Sequence, residues 1–124
     1  MSASASQFNL GRCAATIPVS DIKRALAFYC DALGFEVTFE NGAPVGFVIL
    51  KKDDAEIHLT LVRGHEGATW NVAHLLVSNA PAVHDRCVSL GHRVMKGLRD
   101  KDFGLRTFVI ADPDGNRIDV GEKL

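Results

Sequence analysis

The sequence predicts an α+β domain built from two fused copies of one βαβββ unit, with curved mixed sheets that carry the helices on their outer faces. One observation is a repeat, since several short motifs recur at nearly the same offset. They are Val19-Ser20 and Val77-Ser78, Leu33-Gly34 and Leu90-Gly91, and the single residues Cys30 and Cys87. The other observation is the order of patterns: each half has a strand-like alternation, an amphipathic helical stretch and three more alternations.

The repeat also predicts the domain boundaries. A length of 124 residues fits one domain, which we place at 12–124 after a frayed, Ser/Ala-rich segment at 1–11. Repeat one spans about 12–63 and repeat two about 70–122, with the stretch between them as a linker.

Each copy is expected to begin with a short strand, at 14–19 and at 72–77, that leads into a helix. Ser20 or Asp21 can cap the first helix and Asn79 the second, while Pro81 suits a first helical turn. Both helices are expected to end at a glycine, Gly34 or Gly91, in a left-handed cap. Their apolar faces comprise Ile22, Ala25, Leu26, Tyr29 and Leu33 in the first helix, and Val83, Cys87 and Leu90 in the second.

Three strands follow each helix, and turn-forming residues separate the last two. The predicted strands are 35–40, 46–50 and 56–62 in repeat one, and 92–96, 106–111 and 117–121 in repeat two. Lys52-Asp53-Asp54 is a plausible hairpin turn, and Asp112-Pro113-Asp114-Gly115-Asn116 is a strong turn signal. The charged runs at 51–54 and 99–102 are interpreted as solvated turns.

Alternation along the strands predicts which side chains leave the helix-covered core. We expect the core set to be Ile57, Leu59, Leu61, Ala73, Leu75, Val77, Ile118 and Val120. The opposite, open face then presents Glu56, His58, Thr60, Val72, His74, Leu76, Arg117 and Asp119. Arg106 and Phe108 share a face, but the pattern does not decide which one.

The open face is predicted to form a largely apolar pocket with a few converging polar groups, as organic ligands require. The candidate ligand-binding residues are Phe47, Glu56, His58, Trp70, His74, Phe103, Arg106 and Asp119. Several have a structural alternative. Glu56 could be a solvated edge charge, His58 could bond Asp119 or water, and Phe47 could belong to the core. Trp70 could pack at a subunit interface, and Phe103 could anchor a loop rather than serve as a lid.

Composition and charge argue against several classes of function. The formal charge of −1 offers no excess of cations for a phosphate backbone, so no nucleic-acid partner is expected. The longest apolar run, 45–50, is too short to cross a bilayer, and 1–10 lack the basic and apolar regions of a secretory signal. Three unclustered cysteines argue against a disulfide framework and predict buried thiols in a reducing cytosol.

Motifs at both ends of the chain carry a resemblance. The opening residues are Ile17-Pro18-Val19-Ser20-Asp21, Ala25-Leu26-Ala27-Phe28-Tyr29 and Leu33-Gly34-Phe35, and the closing residues are Asp112-Pro113-Asp114-Gly115-Asn116-Arg117-Ile118-Asp119. Together with the repeat they resemble the vicinal-oxygen-chelate (glyoxalase/bleomycin resistance protein/dioxygenase) superfamily. The string Asp54-Ala55-Glu56-Ile57-His58-Leu59 resembles the matching strand of its bleomycin-resistance branch.

This resemblance also suggests that a catalytic metal is absent. Catalytic members carry one metal ligand on the first and one on the last strand of each copy, and the matching first-strand positions here are Ala14 and Val72. His58 and Asp119 remain at the last-strand positions, and two ligands are fewer than a catalytic site normally uses. An alternative set recruits His74 beside His58 and Asp119, which resembles a facial triad.

The resemblance therefore implies a binding protein without a cofactor, which sequesters a bleomycin-like or other planar organic ligand without chemistry. It also implies a cytoplasmic homodimer with ligand clefts at its interface. The branch tends to be acidic, which suits a cationic drug, whereas this chain is nearly neutral, so the identity of the ligand stays open. The alternative is a metal-dependent lyase, isomerase or dioxygenase that uses His58, His74 and Asp119.

Overall fold

The chain forms two four-stranded sheets, each contributed by one repeat. A computed structural model describes residues 4–124. The elements are β1 (Ala15–Val19), α1 (Ile22–Leu26), a π-helical segment (Ala27–Ala32), β2 (Glu36–Asn41), β3 (Phe47–Lys52), β4 (Ala55–Leu61), β5 (Asn71–Leu76), α2 (Ala80–Ser89), β6 (Arg93–Asp100), β7 (Leu105–Ala111) and β8 (Arg117–Lys123). The strand orders, β1-β4-β3-β2 and β5-β8-β7-β6, are the same in both sheets, which confirms the predicted α+β repeat.

In each sheet the first strand pairs in parallel with the last, and the remaining pairs are antiparallel. This topology requires the helix of each unit to cross over the sheet, which places an apolar layer between them. The strand residues expected in the core are buried or half-buried, with Ile118 and Val120 fully so. Among residues 4–124, no helix is both long and apolar enough to span a membrane.

The helix ends follow the predicted capping residues. Asp21 accepts a hydrogen bond from the backbone N–H of Arg24 at 2.8 Å, and Asn79 accepts one from that of Ala82 at 3.1 Å. Gly34 and Gly91 have φ values of 84° and 83°, in the left-handed region that glycine adopts without strain.

The turn at 112–116 joins the two repeats. The Asp112 carboxylate accepts hydrogen bonds from the Tyr29 hydroxyl, the Asn116 side-chain amide and the backbone N–H groups of Asp114 and Asn116, all at 2.8–2.9 Å. The Asn116 amide also donates to the Pro18 carbonyl at 2.8 Å. Asp112 and Asn116 are both buried, so this turn is part of the protein interior.

Several predictions about local structure need correction. The first helix is not uniformly α-helical, because it widens into a π-helix after Leu26. β6 continues to Asp100, so Arg99 and Asp100 lie in a strand and not in a turn; irregular pairing near Lys96 interrupts its alternation. Cys87 is buried and Cys30 half-buried, but Cys13 is exposed, contrary to the expectation of buried thiols. Residues 4–11 are exposed, while residues 1–3 of the segment expected to fray lie outside the described residues.

Candidate ligand-binding faces

We call the side of each sheet turned away from its helix the open face. Residues paired across neighbouring strands share a face, so the register identifies both sets. The N-terminal open face presents Thr16, Phe39, Phe47, Ile49, Lys51, Glu56, His58 and Thr60. The C-terminal open face presents His74, Arg93, Lys96, Arg99, Thr107, Val109, Ala111, Arg117 and Asp119.

His58 and Glu56 form a charged cluster on the N-terminal open face. His58 Nε2 lies 2.6 Å from Glu56 Oε2, so the partner of His58 is Glu56 and not Asp119. The Arg12 guanidinium and the Lys51 ammonium lie 3.2 Å and 3.7 Å from Glu56 Oε1. The hydrogen bond with His58, followed by these two cations, lowers the pKa of Glu56 below its ordinary value of 4.5. Glu56 is therefore an ion-paired carboxylate and not a solvated edge charge.

An aromatic row extends from His58 across the N-terminal open face. The His58 and Phe47 rings lie 5.5 Å apart, centroid to centroid, at an interplanar angle of 76°. Phe39 continues the row, with its ring 6.3 Å from that of Phe47. Phe47 is half-buried and Phe39 is 49% exposed, so the row offers apolar surface to a ligand.

His74 and Asp119 form a matching pair on the C-terminal open face. His74 Nδ1 lies 2.8 Å from Asp119 Oδ2. The two partners differ in exposure: the His74 side chain is 74% exposed, whereas that of Asp119 is 15% exposed. The carboxylate thus orients an imidazole that is accessible to a ligand.

A cavity of about 300 Å³ lies between the two sheets, where the starts of β1 and β4 face residues 73–75 of β5. Glu56 and His74 both border it, together with Arg12, Cys13 and Ala14. The structure thereby unites two candidates from different repeats that the sequence could only place separately. A larger cavity, about 660 Å³, lies elsewhere, between Leu33, Phe35 and the start of α2.

The residues at the expected metal positions do not fit a catalytic metal. Ala14 and Val72 have no donor atom, and His58 is already engaged by Glu56. Within residues 4–124, no three His, Cys, Asp or Glu side chains are grouped as a metal site requires. His74 and Asp119 lie together, but the third member of the proposed set, His58, does not join them in such a group.

The remaining candidates lie at three separate places. Trp70 is 67% exposed and lines a cavity beside Arg117 at one end of the C-terminal open face. Phe103 is 69% exposed in the turn between β6 and β7. Arg106 pairs with Glu122 in the register and lies on the opposite, helix-side face, where its guanidinium contacts Asp100 at 2.8 Å.

Sequence reasoning missed two features. One is the hydrogen bond between Tyr29 and the turn at 112–116, which the turn's own sequence does not reveal. The signal that points to it is Tyr29, because a buried tyrosine hydroxyl needs a hydrogen-bond partner. The other is the group of cations on β6, because the predicted strand ends at residue 96 whereas β6 continues to Asp100. Burial raises the pKa of the Cys30 and Cys87 thiols, which keeps both thiols protonated and unreactive.

Comparisons with known proteins agree with this architecture. Residues 9–120 match the family model described as the glyoxalase/bleomycin resistance protein/dioxygenase superfamily. A bleomycin resistance protein from Geobacillus stearothermophilus is 24% identical over 127 residues, which cover 87% of this chain and 93% of that protein.

Two solved structures share the fold at lower identity. The crystal structure of a bleomycin-binding protein complexed with bleomycin is 21% identical, with a TM-score of 0.77 over 93% of this chain and 100% of the other. A lactoylglutathione lyase from Agrobacterium tumefaciens is also 21% identical, with a TM-score of 0.72 over 90% and 92% of the two chains. Binding proteins and enzymes therefore share this fold.

Proposed function

We propose that this chain, which belongs to the glyoxalase/bleomycin resistance protein/dioxygenase superfamily, binds a planar organic ligand on its open faces without transforming it. The observation that carries this proposal is the aromatic row of Phe39, Phe47 and His58, which ends at an ion-paired carboxylate. Apolar rings supply contact area, and a few fixed polar groups set the orientation of a ligand. Ala14 and Val72, at the expected metal positions, favour binding over metal chemistry.

The proposal includes a cytoplasmic homodimer with ligand clefts at the interface. Phe39 in β2 is 49% exposed and Leu76 in β5 is 62% exposed, and a partner that covered them would remove this apolar surface from water. Three free thiols suit a reducing compartment. Light scattering at micromolar concentration tests the dimer, and a monomer would contradict it.

Equilibrium dialysis with naphthylmethanol, a neutral planar probe, tests the binding function. We expect saturable binding near one probe per chain. Phe47→Ala should weaken it by about three- to ten-fold because one ring contact is lost. Phe8→Ala, which removes an exposed phenyl ring from the N-terminal segment, is the matched control. Absence of saturable binding to the wild-type protein would contradict the proposal.

Bleomycin, measured in the same way at low salt, tests the link to the relatives. Saturable binding would show that this chain binds the same drug as its bleomycin-binding relatives. Binding of naphthylmethanol alone would keep the proposed function but separate it from bleomycin resistance.

A second candidate function is a metal-dependent lyase, isomerase or dioxygenase that uses His58, His74 and Asp119. It is favoured by one contact, the 2.8 Å pair of His74 and Asp119 on an accessible face. Metal analysis after purification tests it. One divalent ion per chain, lost in His74→Ala, would support the enzyme and overturn the binding-only proposal.

A further inference from the structure

The C-terminal open face carries a group of cations that the proposed function does not explain. Arg93 and Arg117 both pair with Ala111, one from each neighbouring strand, and Lys96 and Arg99 pair with Val109 and Thr107. All four side chains therefore leave the same face of the sheet. The whole chain has a formal charge of −1, so the excess of positive charge is confined to this face.

Carboxylates near these cations form no ion pair with them in the part of the chain that the structure describes. Asp119, on the same face, is engaged by His74. The carboxylate of Asp100 is held by Arg106 on the other face of the sheet. Glu66 borders the cavity described next, so one acidic group lies within reach of the group of cations.

Two of the cations line a cavity with the tryptophan. The cavity measures about 360 Å³ and is bordered by Trp70, Arg93, Met95, Ala111 and Arg117, among others. Arg117 Nη1 donates to the Thr69 carbonyl at 3.4 Å, which holds the guanidinium beside the Trp70 segment. An exposed indole, a thioether and two guanidinium groups thus border one space of small-molecule size.

This combination selects one class of ligand. A guanidinium presents paired N–H donors that match a carboxylate or sulfonate, and an indole presents a flat apolar surface for a ring. A ligand anion also relieves the mutual repulsion of the clustered cations, whereas a cationic ligand increases it.

We infer that the ligand is an aromatic acid, and that Arg93 and Arg117 bind its acidic group while Trp70 contacts its ring. This inference rests on the proposed function, since it names the chemical class of ligand for the C-terminal open face. It distinguishes this chain from a protein built to attract a cationic drug.

Equilibrium dialysis at low salt with three probes that share the naphthalene ring tests the inference. Naphthoate is an anion, naphthylmethanol is neutral and naphthylmethylammonium is a cation. Two exposed ion pairs, each adding up to about three-fold, predict that naphthoate binds about ten-fold more tightly than the alcohol. The ammonium should bind more weakly than the alcohol, and added salt should weaken only the naphthoate complex.

Variants assign the preference to residues. The double variant Arg93→Gln/Arg117→Gln should lose the preference for naphthoate and retain the affinity for naphthylmethanol. Lys23→Gln, which removes an exposed cation from α1, is the matched control and should retain the preference. The urea midpoint of each variant verifies that it is folded.

The outcomes separate the two proposals. Equal binding of naphthoate and naphthylmethanol, stronger binding of the ammonium, or an unchanged preference in the folded double variant would overturn the inference alone. Binding of no probe would overturn the inference together with the proposed function.

Discussion

Replacing Asp112 by alanine should destabilise the protein more than any surface substitution, because its carboxylate holds the two repeats together. Four donors converge on it at 2.8–2.9 Å, and the Tyr29 hydroxyl and the Asn116 amide among them are buried. A buried donor left without an acceptor costs about 1–3 kcal/mol. Two such donors predict a loss of about 2–6 kcal/mol, a large part of the roughly 5–15 kcal/mol that stabilises a domain.

Urea unfolding followed by circular dichroism measures this loss as a lower midpoint at an unchanged slope. Tyr29→Phe removes only one of the four hydrogen bonds and should cost about 1 kcal/mol. Asp102→Ala, in an exposed turn, is the matched control and should stay within about 0.5 kcal/mol of wild type. A loss below about 1 kcal/mol for Asp112→Ala would refute the reasoning that this network joins the repeats.

Three further predictions concern pH and backbone conformation. Burial, followed by the nearby Asp112 carboxylate, raises the pKa of Tyr29 well above its ordinary value of 10.0. Its contribution to stability is therefore present below pH 10 and lost as pH rises further, so Tyr29→Phe should flatten the alkaline decline in the free energy of unfolding. Glu56 has a lowered pKa, so its contribution is present above pH 4.5 and lost on acidification; Glu56→Gln should flatten the acid decline. Gly67→Ala should lower the free energy of unfolding by more than about 2 kcal/mol, because the new Cβ would lie 2.5 Å from the Asp114 carbonyl oxygen. Gly64→Ala, at a similar φ but in open space, should lower it by only about 1 kcal/mol. Unfolding midpoints measure all three, and equal losses at the two glycines would contradict the last.

The sequence predicts the elements of this fold well because their signals are local. Alternating apolar residues and capping side chains such as Asp21 and Asn79 act within a few positions of one another. The fusion of two units was visible for the same reason, as each half repeats the same local order.

Features that depend on contacts between residues far apart in the sequence could not be predicted from local patterns. Tyr29 and Asp112 lie in different repeats, so neither position alone reveals their hydrogen bond. The register irregularities in β6 interrupt the period of two, which hid the shared face of Lys96 and Arg99. Arg106 looked like a ligand-binding residue because alternation cannot decide which face of β7 is covered when both are partly apolar.

Chemical-shift mapping by nuclear magnetic resonance during a naphthylmethanol titration shows directly whether a planar ligand binds on the open faces. If a planar ligand binds there, saturable shifts will appear at Phe39, Phe47 and His58, together with the indole N–H of Trp70. Shifts confined to Leu33, Phe35 and Val83, which border the larger cavity, would place the ligand elsewhere and contradict the account.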